Sequence, residues 1–197
     1  SCEEDNFVRP STLKMGATLS DSVWEAIHAP YDQNTYQAVL DQLEPKDVIL
    51  DIGAGDLRLA RQMARIAQKV YAVEIQARVL NQADDSPRVS PANLIPICAD
   101  ARALDFPSDI TTGVLLMRHC TCFDLYAKKL QKAGATRLIT NARWGMSVAV
   151  VDLIAQRLSF TEAGMGWYAC ICGGTGLPGR HSGHWCFGMA RMTNFVL

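Results

Sequence analysis

The run Val48-Ile49-Leu50-Asp51-Ile52-Gly53-Ala54-Gly55-Asp56 constrains the fold of this chain more than any other stretch. Three consecutive apolar, β-favouring residues read as a strand buried on both faces. The run then breaks into Gly-x-Gly, which makes a tight turn and lets a ligand approach the backbone. Leu57, Ala60, Met63, Ala64 and Ala67 fall at helical spacing up to Gln68, with Asp56 placed as the helix N-cap. Val70 to Ile75 is a second β-rich run, ending in the acid Glu74. Strand, glycine turn, helix, strand and terminal acid together make the βαβ unit of a nucleoside-binding sheet.

The same residues select among nucleosides. Gly53-x-Gly55 begins like G-x-G-x-x-G, but Arg58 replaces the third glycine. Asp56 sets a carboxylate at the helix N-terminus, where a dinucleotide would place its pyrophosphate, and the two anions would repel. A cationic sulfonium with an amino-acid tail has no such conflict, and Asp51 and Asp56 suit its ammonium end. Glu74, 19 residues after Gly55, fits an acid that accepts from both ribose hydroxyls. The ligand so described is S-adenosylmethionine.

With these residues in view, the chain resembles the class I S-adenosylmethionine-dependent methyltransferases. Leu50-Asp51-Ile52-Gly53-Ala54-Gly55 matches their first motif and Ala72-Val73-Glu74-Ile75 their ribose-acid motif. Ala99-Asp100-Ala101 matches their adenine-contact motif. The three blocks are most similar to those of the ribosomal RNA adenine dimethylases, whose catalytic Asn-Leu-Pro-Tyr is absent here. The resemblance covers roughly residues 45–158 and bears on the cofactor alone. It implies a cofactor group of Asp51, Gly53, Gly55, Asp56, Glu74, Ile75, Asp100, Ala101 and Arg118.

At 197 residues the chain has room for one full core, read as a domain over 45–197. Residues 1–44 are then an N-terminal arm and short helices covering the cofactor site. Apolar residues at 49% and charged residues at 20% match an ordinary soluble globular protein. A net charge of −1 gives no general electrostatic case for nucleic acid. No window approaches a membrane span, and the N-terminus is acidic and lacks an apolar signal core. Seven cysteines, odd in number and irregularly spaced, argue against a disulfide framework and for a reducing cytoplasm.

In order, Ser20-Asp21-Ser22 caps a short helix that Pro30 ends, and Thr35 to Leu43 is a second one stopped by Pro45. Tyr31 and Tyr36 either cover the ligand or pack these helices down. Gln76 to Ala83 is a helix, Asp84–Ala92 a loop, Asn93 to Cys98 a third strand, and Ile110 to Met117 a fourth. Phe123 to Ala133 reads as a helix with a basic outer face (Lys128, Lys129, Lys132), terminated by Gly134. Thr136 to Thr140 is the fifth strand and Met146 to Leu158 an apolar helix. Met165 to Cys172 and His184 to Met192 are strands flanking a glycine-rich loop. The expected architecture is a Rossmann-like, seven-stranded, mostly parallel α/β sheet with an antiparallel C-terminal hairpin strand and helices on both faces.

Ligands of such a sheet bind beyond the carboxyl ends of its parallel strands. This rule gathers the cofactor residues with His119, Asn141 and Arg143, which form the candidate catalytic group. His119 suits a general base because its unperturbed pKa lies near neutrality. Asn141 can orient an amine or hydroxyl, and Arg143 can neutralise an anionic acceptor. Cys120 and Cys122 are weaker candidates as nucleophiles. Cys170, Cys172, His184 and Cys186 invite a zinc reading, but C-x-C lacks knuckle spacing and no bound metal is expected. The partners expected are S-adenosylmethionine and an unidentified methyl acceptor. A small molecule or protein is favoured, with an RNA methyltransferase or a catalytically silent binding subunit as alternatives.

Overall fold

The apolar run 48–52 is a strand, β1 (Val48–Ile52), and all five of its residues are buried. In the computed structural model, which describes residues 31–84, 90–118, 120–142, 147–155, 168–170, 175–176 and 189–191, this strand lies inside a sheet. The elements around it are α1 (Gln33–Leu40), α2 (Arg58–Met63), β2 (Lys69–Glu74), α3 (Ala77–Asp84) and β3 (Leu94–Cys98). They continue as β4 (Thr112–Leu115), α4 (Phe123–Lys132), β5 (Arg137–Thr140) and β6 (Ala149–Asp152). The sheet order is β3-β2-β1-β4-β5-β6. Every pair is parallel except β5 with β6.

Alternation along the strands divides the core into two layers. Ile49, Val70, Ala72, Val114 and Ile139 face the layer that holds Tyr36, Val39, Leu59, Met63 and Leu80, so α1, α2 and α3 cover that side. Leu50, Ile52, Val73, Leu115 and Leu138 face the other, with Phe123, Tyr126 and Leu130 of α4. Helices therefore cover both faces, as the sequence leads one to expect. Each such leucine, isoleucine or valine contributes about 1.5–3 kcal/mol by leaving water. Gly113 of β4 is where α4 comes closest. A methyl group built on it would run into Leu130 Cδ1 and lie 2.9 Å from Cδ2.

Short devices fix the ends of the elements. Asp32 caps α1, its Oδ1 accepting from the Thr35 amide at 2.8 Å. Gly134, at φ +99°, ends α4 in the left-handed conformation expected of a residue just past a helix. At the amino ends of the strands Asp47 is buried, and its carboxylate accepts from the Glu44 amide, Thr112 Oγ1 and Arg137 Nη2 at 2.7, 2.9 and 2.6 Å.

Three expectations are corrected. The stretch read as an apolar helix over Met146 to Leu158 contains β6, which pairs antiparallel with β5 from Arg137↔Asp152 to Thr140↔Ala149. Val148, Val151, Ile154 and Ala155 do fall at helical spacing, but the open edge of β5 supplies backbone partners that a helix would forgo. Asp152 then turns the chain, its Oδ1 accepting from the amides of Ile154 and Ala155. The main sheet thus has six strands among the described residues, where seven were expected. The antiparallel strand in it is β6 instead of the C-terminal hairpin. That hairpin forms a separate antiparallel sheet of order β8-β7-β9, from β7 (Tyr168–Cys170), β8 (Thr175–Gly176) and β9 (Met189–Arg191). Finally, α2 is six residues long and Leu57, not Asp56, holds its N-cap position, at φ +61°. The helix expected before Pro30 lies outside the described residues.

Candidate functional site

The turn after β1 is built on left-handed residues. Gly53 and Gly55 have φ of +75° and +56°, and Leu57, fully buried, has +61°. Glycine carries the first two without strain, while burial of the leucine side chain holds the third. The amides of Gly53 and Ala54 both donate to the Val73 carbonyl, at 2.9 and 3.0 Å. Gly55 donates to Glu74 Oε2 at 3.0 Å, and the Gln76 amide donates to Oε1 at 2.9 Å. The terminal acid of β2 therefore clasps the glycine turn on one side and starts the chain toward α3 on the other.

Asp51 and Glu74 lie on the same face of adjacent strands, since Asp51 is in register with Ala72, two residues before Glu74. Both are buried. Loss of hydration, and then the charge of Glu74, push the Asp51 carboxyl up to about 7. Among the described residues no basic side chain pairs with either acid. Asp56 is occupied locally. Its Oδ1 accepts from the Arg58 amide at 3.1 Å and its Oδ2 pairs with Arg58 Nη2 at 2.8 Å. It thus satisfies an orphan amide of the first turn from one position before the cap.

The remaining residues expected to hold the cofactor sit on the same rim, beyond the carboxyl ends of β2, β3 and β4. Ile75 is 57% exposed, an unusual setting for a large apolar residue beside a buried acid. Ala101 is buried. Asp100 holds Arg102 in a bidentate pair, with Nε and Nη2 at 3.0 and 2.8 Å from Oδ2, and that bond keeps its carboxyl below the usual range. Arg118 is exposed, its guanidinium 4.8 Å from the Tyr31 ring centre, and its amide donates to the Tyr31 hydroxyl at 3.4 Å. Tyr36 is buried in the core, and the charges of Asp56, Arg58 and Asp51 act on its hydroxyl.

Asn141, next after β5, is fully buried, and neither its Nδ2 nor its Oδ1 has a hydrogen-bond partner among the described residues. An unpaired buried amide of this kind costs about 1–3 kcal/mol per group. His119 and Arg143 lie outside the described residues, as do Cys172, His181, His184 and Cys186. Among the described residues no cluster of metal-ligating side chains occurs, and no helix is long and apolar enough to cross a membrane.

Lys129 corrects one expectation. It was read on the outer face of its helix, yet its ammonium donates inward to the carbonyls of Ala101, Arg102 and Leu104. The signal was available, because Lys129 follows the buried Tyr126 by three and so adjoins the apolar stripe. Met117 was also missed. Its Cε lies so close to Gly53 that a methyl group on the glycine would come within 2.8 Å of it.

The donor set fits the proposed cofactor. Two buried carboxylates without a basic partner among the described residues suit a ligand carrying cationic groups and ribose hydroxyls. Beside them a methyl group built on Gly55 would meet no atom within 4 Å, so the turn borders open space.

Residues 49–136 match the family described as "Methyltransferase domain". Over 67 residues the chain is 42% identical to a "Probable ribosomal RNA small subunit methyltransferase A" of Methanosarcina mazei, covering 34% of this chain and 24% of that protein. A protein of the same name from Methanococcus maripaludis is 34% identical over 56 residues, 27% of this chain and 21% of the relative. The matched segment thus spans about a quarter or less of the relatives' length. Among solved structures, magnesium protoporphyrin IX methyltransferase (ChlM) from Synechocystis PCC 6803, with bound SAH, superposes with a TM-score of 0.50 at 17% identity. That superposition covers 62% of this chain and 67% of the other, and it bears on fold. The strand order, the clasped glycine turn and the family match agree: residues 49–136 build a Rossmann-like α/β domain that matches the methyltransferase-domain family.

Proposed function

We propose that this chain binds S-adenosylmethionine on the carboxyl rim of β1, β2 and β3 and transfers its methyl group to a small molecule or a protein. The observation that carries this reading is the pair Asp51 and Glu74, two buried acids without a basic partner among the described residues, beside an approachable glycine turn. In it Glu74 accepts from the ribose hydroxyls and Asp51, with Asp56, faces the ammonium of the amino-acid tail. Ile75 and Ala101 flank the base, Asp100 accepts from its amine, and Arg118, stacked on Tyr31, borders the site from the β4 side. When bound, the sulfonium supplies an electrophilic methyl group, and the departing thioether keeps the electron pair of the broken carbon–sulfur bond.

The chain's own share of the chemistry is alignment and proton handling. Asn141 has a donor and an acceptor free, and an acceptor amine or hydroxyl reaching it would complete both. His119 takes the acceptor's proton and Arg143 neutralises an anionic acceptor. Calorimetry should show S-adenosylmethionine or its demethylated product binding, and tritium from labelled cofactor should pass to a component of fractionated cell extract. His119→Asn should lower turnover by about 10²–10⁴ and spare cofactor affinity. Tight NAD binding with no response to the sulfonium would sink the reading.

A second reading, methylation of RNA, is favoured by the names of the archaeal relatives. The net charge of −1 weighs against it. Retention of RNA that falls steeply with salt, together with label passing into RNA, would select it. Binding without turnover across broad substrate panels would instead mark a silent cofactor-binding subunit.

A further inference from the structure

One ammonium group lies behind the loop that follows β3, and none of the cofactor motifs contains it. Lys129 Nζ donates at 2.8 Å to the Ala101 carbonyl, at 2.8 Å to that of Arg102 and at 2.7 Å to that of Leu104. An ammonium has three N–H bonds, and all three are used. The ammonium also lies over an aromatic ring, with Nζ 4.6 Å from the centre of Phe106. Its helix neighbour Lys128, by contrast, is exposed and pairs with Asp124.

The geometry of the loop explains what this cation does. The amides of Ala103 and Leu104 both turn back to the Asp100 carbonyl, at 3.0 and 2.9 Å, closing a single tight turn. That turn aims three carbonyl oxygens at one point. A cation with three donors satisfies them together, whereas a neutral side chain would leave like dipoles converging on an unfilled spot. Asp100 and Ala101, the residues expected against the nucleobase, belong to this turn, and Asp100 Oδ1 also accepts from the Arg102 amide at 2.8 Å.

We propose that Lys129 is a positioning residue for nucleobase selection: by gathering the carbonyls of Ala101, Arg102 and Leu104 it fixes where Asp100 presents its carboxylate, and so sets how strongly the chain prefers adenine over a base lacking the 6-amine. The proposal rests on the reading of the rim as a site for S-adenosylmethionine. It goes further in assigning selectivity to a helix residue that touches only the loop, and it concerns affinity and not the transfer step.

The test compares S-adenosylhomocysteine with its inosine counterpart, in which a carbonyl replaces the base amine, by calorimetry on the full chain and on Lys129→Met. Wild type should prefer the adenine form. Lys129→Met should bind that form about tenfold more weakly and the inosine form almost as before, so that the preference shrinks. A folded Lys129→Met with the wild-type preference, or with equal losses for both ligands, overturns the proposal while leaving the cofactor reading intact. If Lys129→Met does not fold, Lys129→Gln, which keeps two donors, carries the same comparison, and an unchanged preference in it overturns the proposal. A wild-type chain that binds both forms equally also overturns it, and one that binds neither overturns the cofactor reading as well.

Discussion

Asp51 and Glu74 face the same side of neighbouring strands, and their enforced proximity makes the unliganded site sensitive to pH. Burial, and then the Glu74 charge, raise the Asp51 carboxyl from its ordinary value to about 7. A carboxyl whose pKa is raised by folding binds more protons in the native than in the unfolded state, so stability falls as pH rises. The loss should begin near the unfolded pKa, about 4, and be complete above about 7, with a size on the order of 4 kcal/mol. Urea unfolding between pH 4 and 8 would measure it. Asp51→Asn should flatten that slope and leave the unliganded chain more stable than wild type at pH 8. A wild-type chain whose stability rises over this range would refute the assignment.

Glu74 should report on stability and binding together. Its two oxygens hold the amides of Gly55 and Gln76, so Glu74→Ala leaves both donors without their acceptor. Bonds of this kind, to a charged acceptor, are worth about 1.5–3 kcal/mol each. The variant should melt earlier and bind S-adenosylhomocysteine at least tenfold more weakly. Differential scanning calorimetry and titration calorimetry would separate the two effects. Loss of affinity with an unchanged melting temperature would mean that the clasp on the turn contributes nothing.

Gly113 tests how tightly α4 sits on the sheet. Alanine there would push into the Leu130 side chain, which is itself fully buried and has no free direction in which to retreat. Gly113→Ala should destabilise the chain by about 1–3 kcal/mol, and Leu130→Ala in the same chain should recover part of that. Chemical denaturation of the two single variants and the double variant would show the coupling. Additive losses would place α4 farther from β4 than it is described.

The far end of the sheet offers a control remote from the ligand. Arg137 Nη2 reaches Asp47 at 2.6 Å, and the aspartate side chain is 4% exposed. Arg137→Met would leave that buried carboxylate without its cation, a change that costs about 3–5 kcal/mol. Cofactor affinity measured below the unfolding transition should stay within about twofold of wild type. A large change in affinity would show that the two ends of the strands are coupled.

Much of this was legible along the chain because the relevant signals are local. Val48–Leu50, Val70–Val73 and the third and fourth strands are short apolar runs bounded by glycine, proline or acids, and each forms a strand within two residues or so of its expected limits. The glycine turn and Glu74 come together as their spacing suggests. What escaped depended on distant partners. Ala149–Asp152 is a strand because β5 has a free edge, whereas the spacing of the surrounding apolar residues suits a helix equally well. Lys129 turns inward because three carbonyls 25 to 28 residues earlier converge on it. Asp56 was expected to be the cap residue itself, but the second glycine lets the chain turn once more, at Leu57, before the helix starts.

The position of β1 has a consequence for how the chain is made. On one side β1 pairs with β2, whose nearest partner residue lies 21 positions later in Val48↔Lys69. On the other it pairs with β4, where Ile49 meets Thr112. A ribosome that has released the chain only as far as about residue 100 therefore exposes one complete, apolar edge of the central strand. Until β4 emerges, that edge is a template for another nascent chain. Slowing translation between residues 100 and 115 should increase aggregation of new chains, whereas the same pause placed far enough beyond Thr140 that β4 and β5 have both emerged should not.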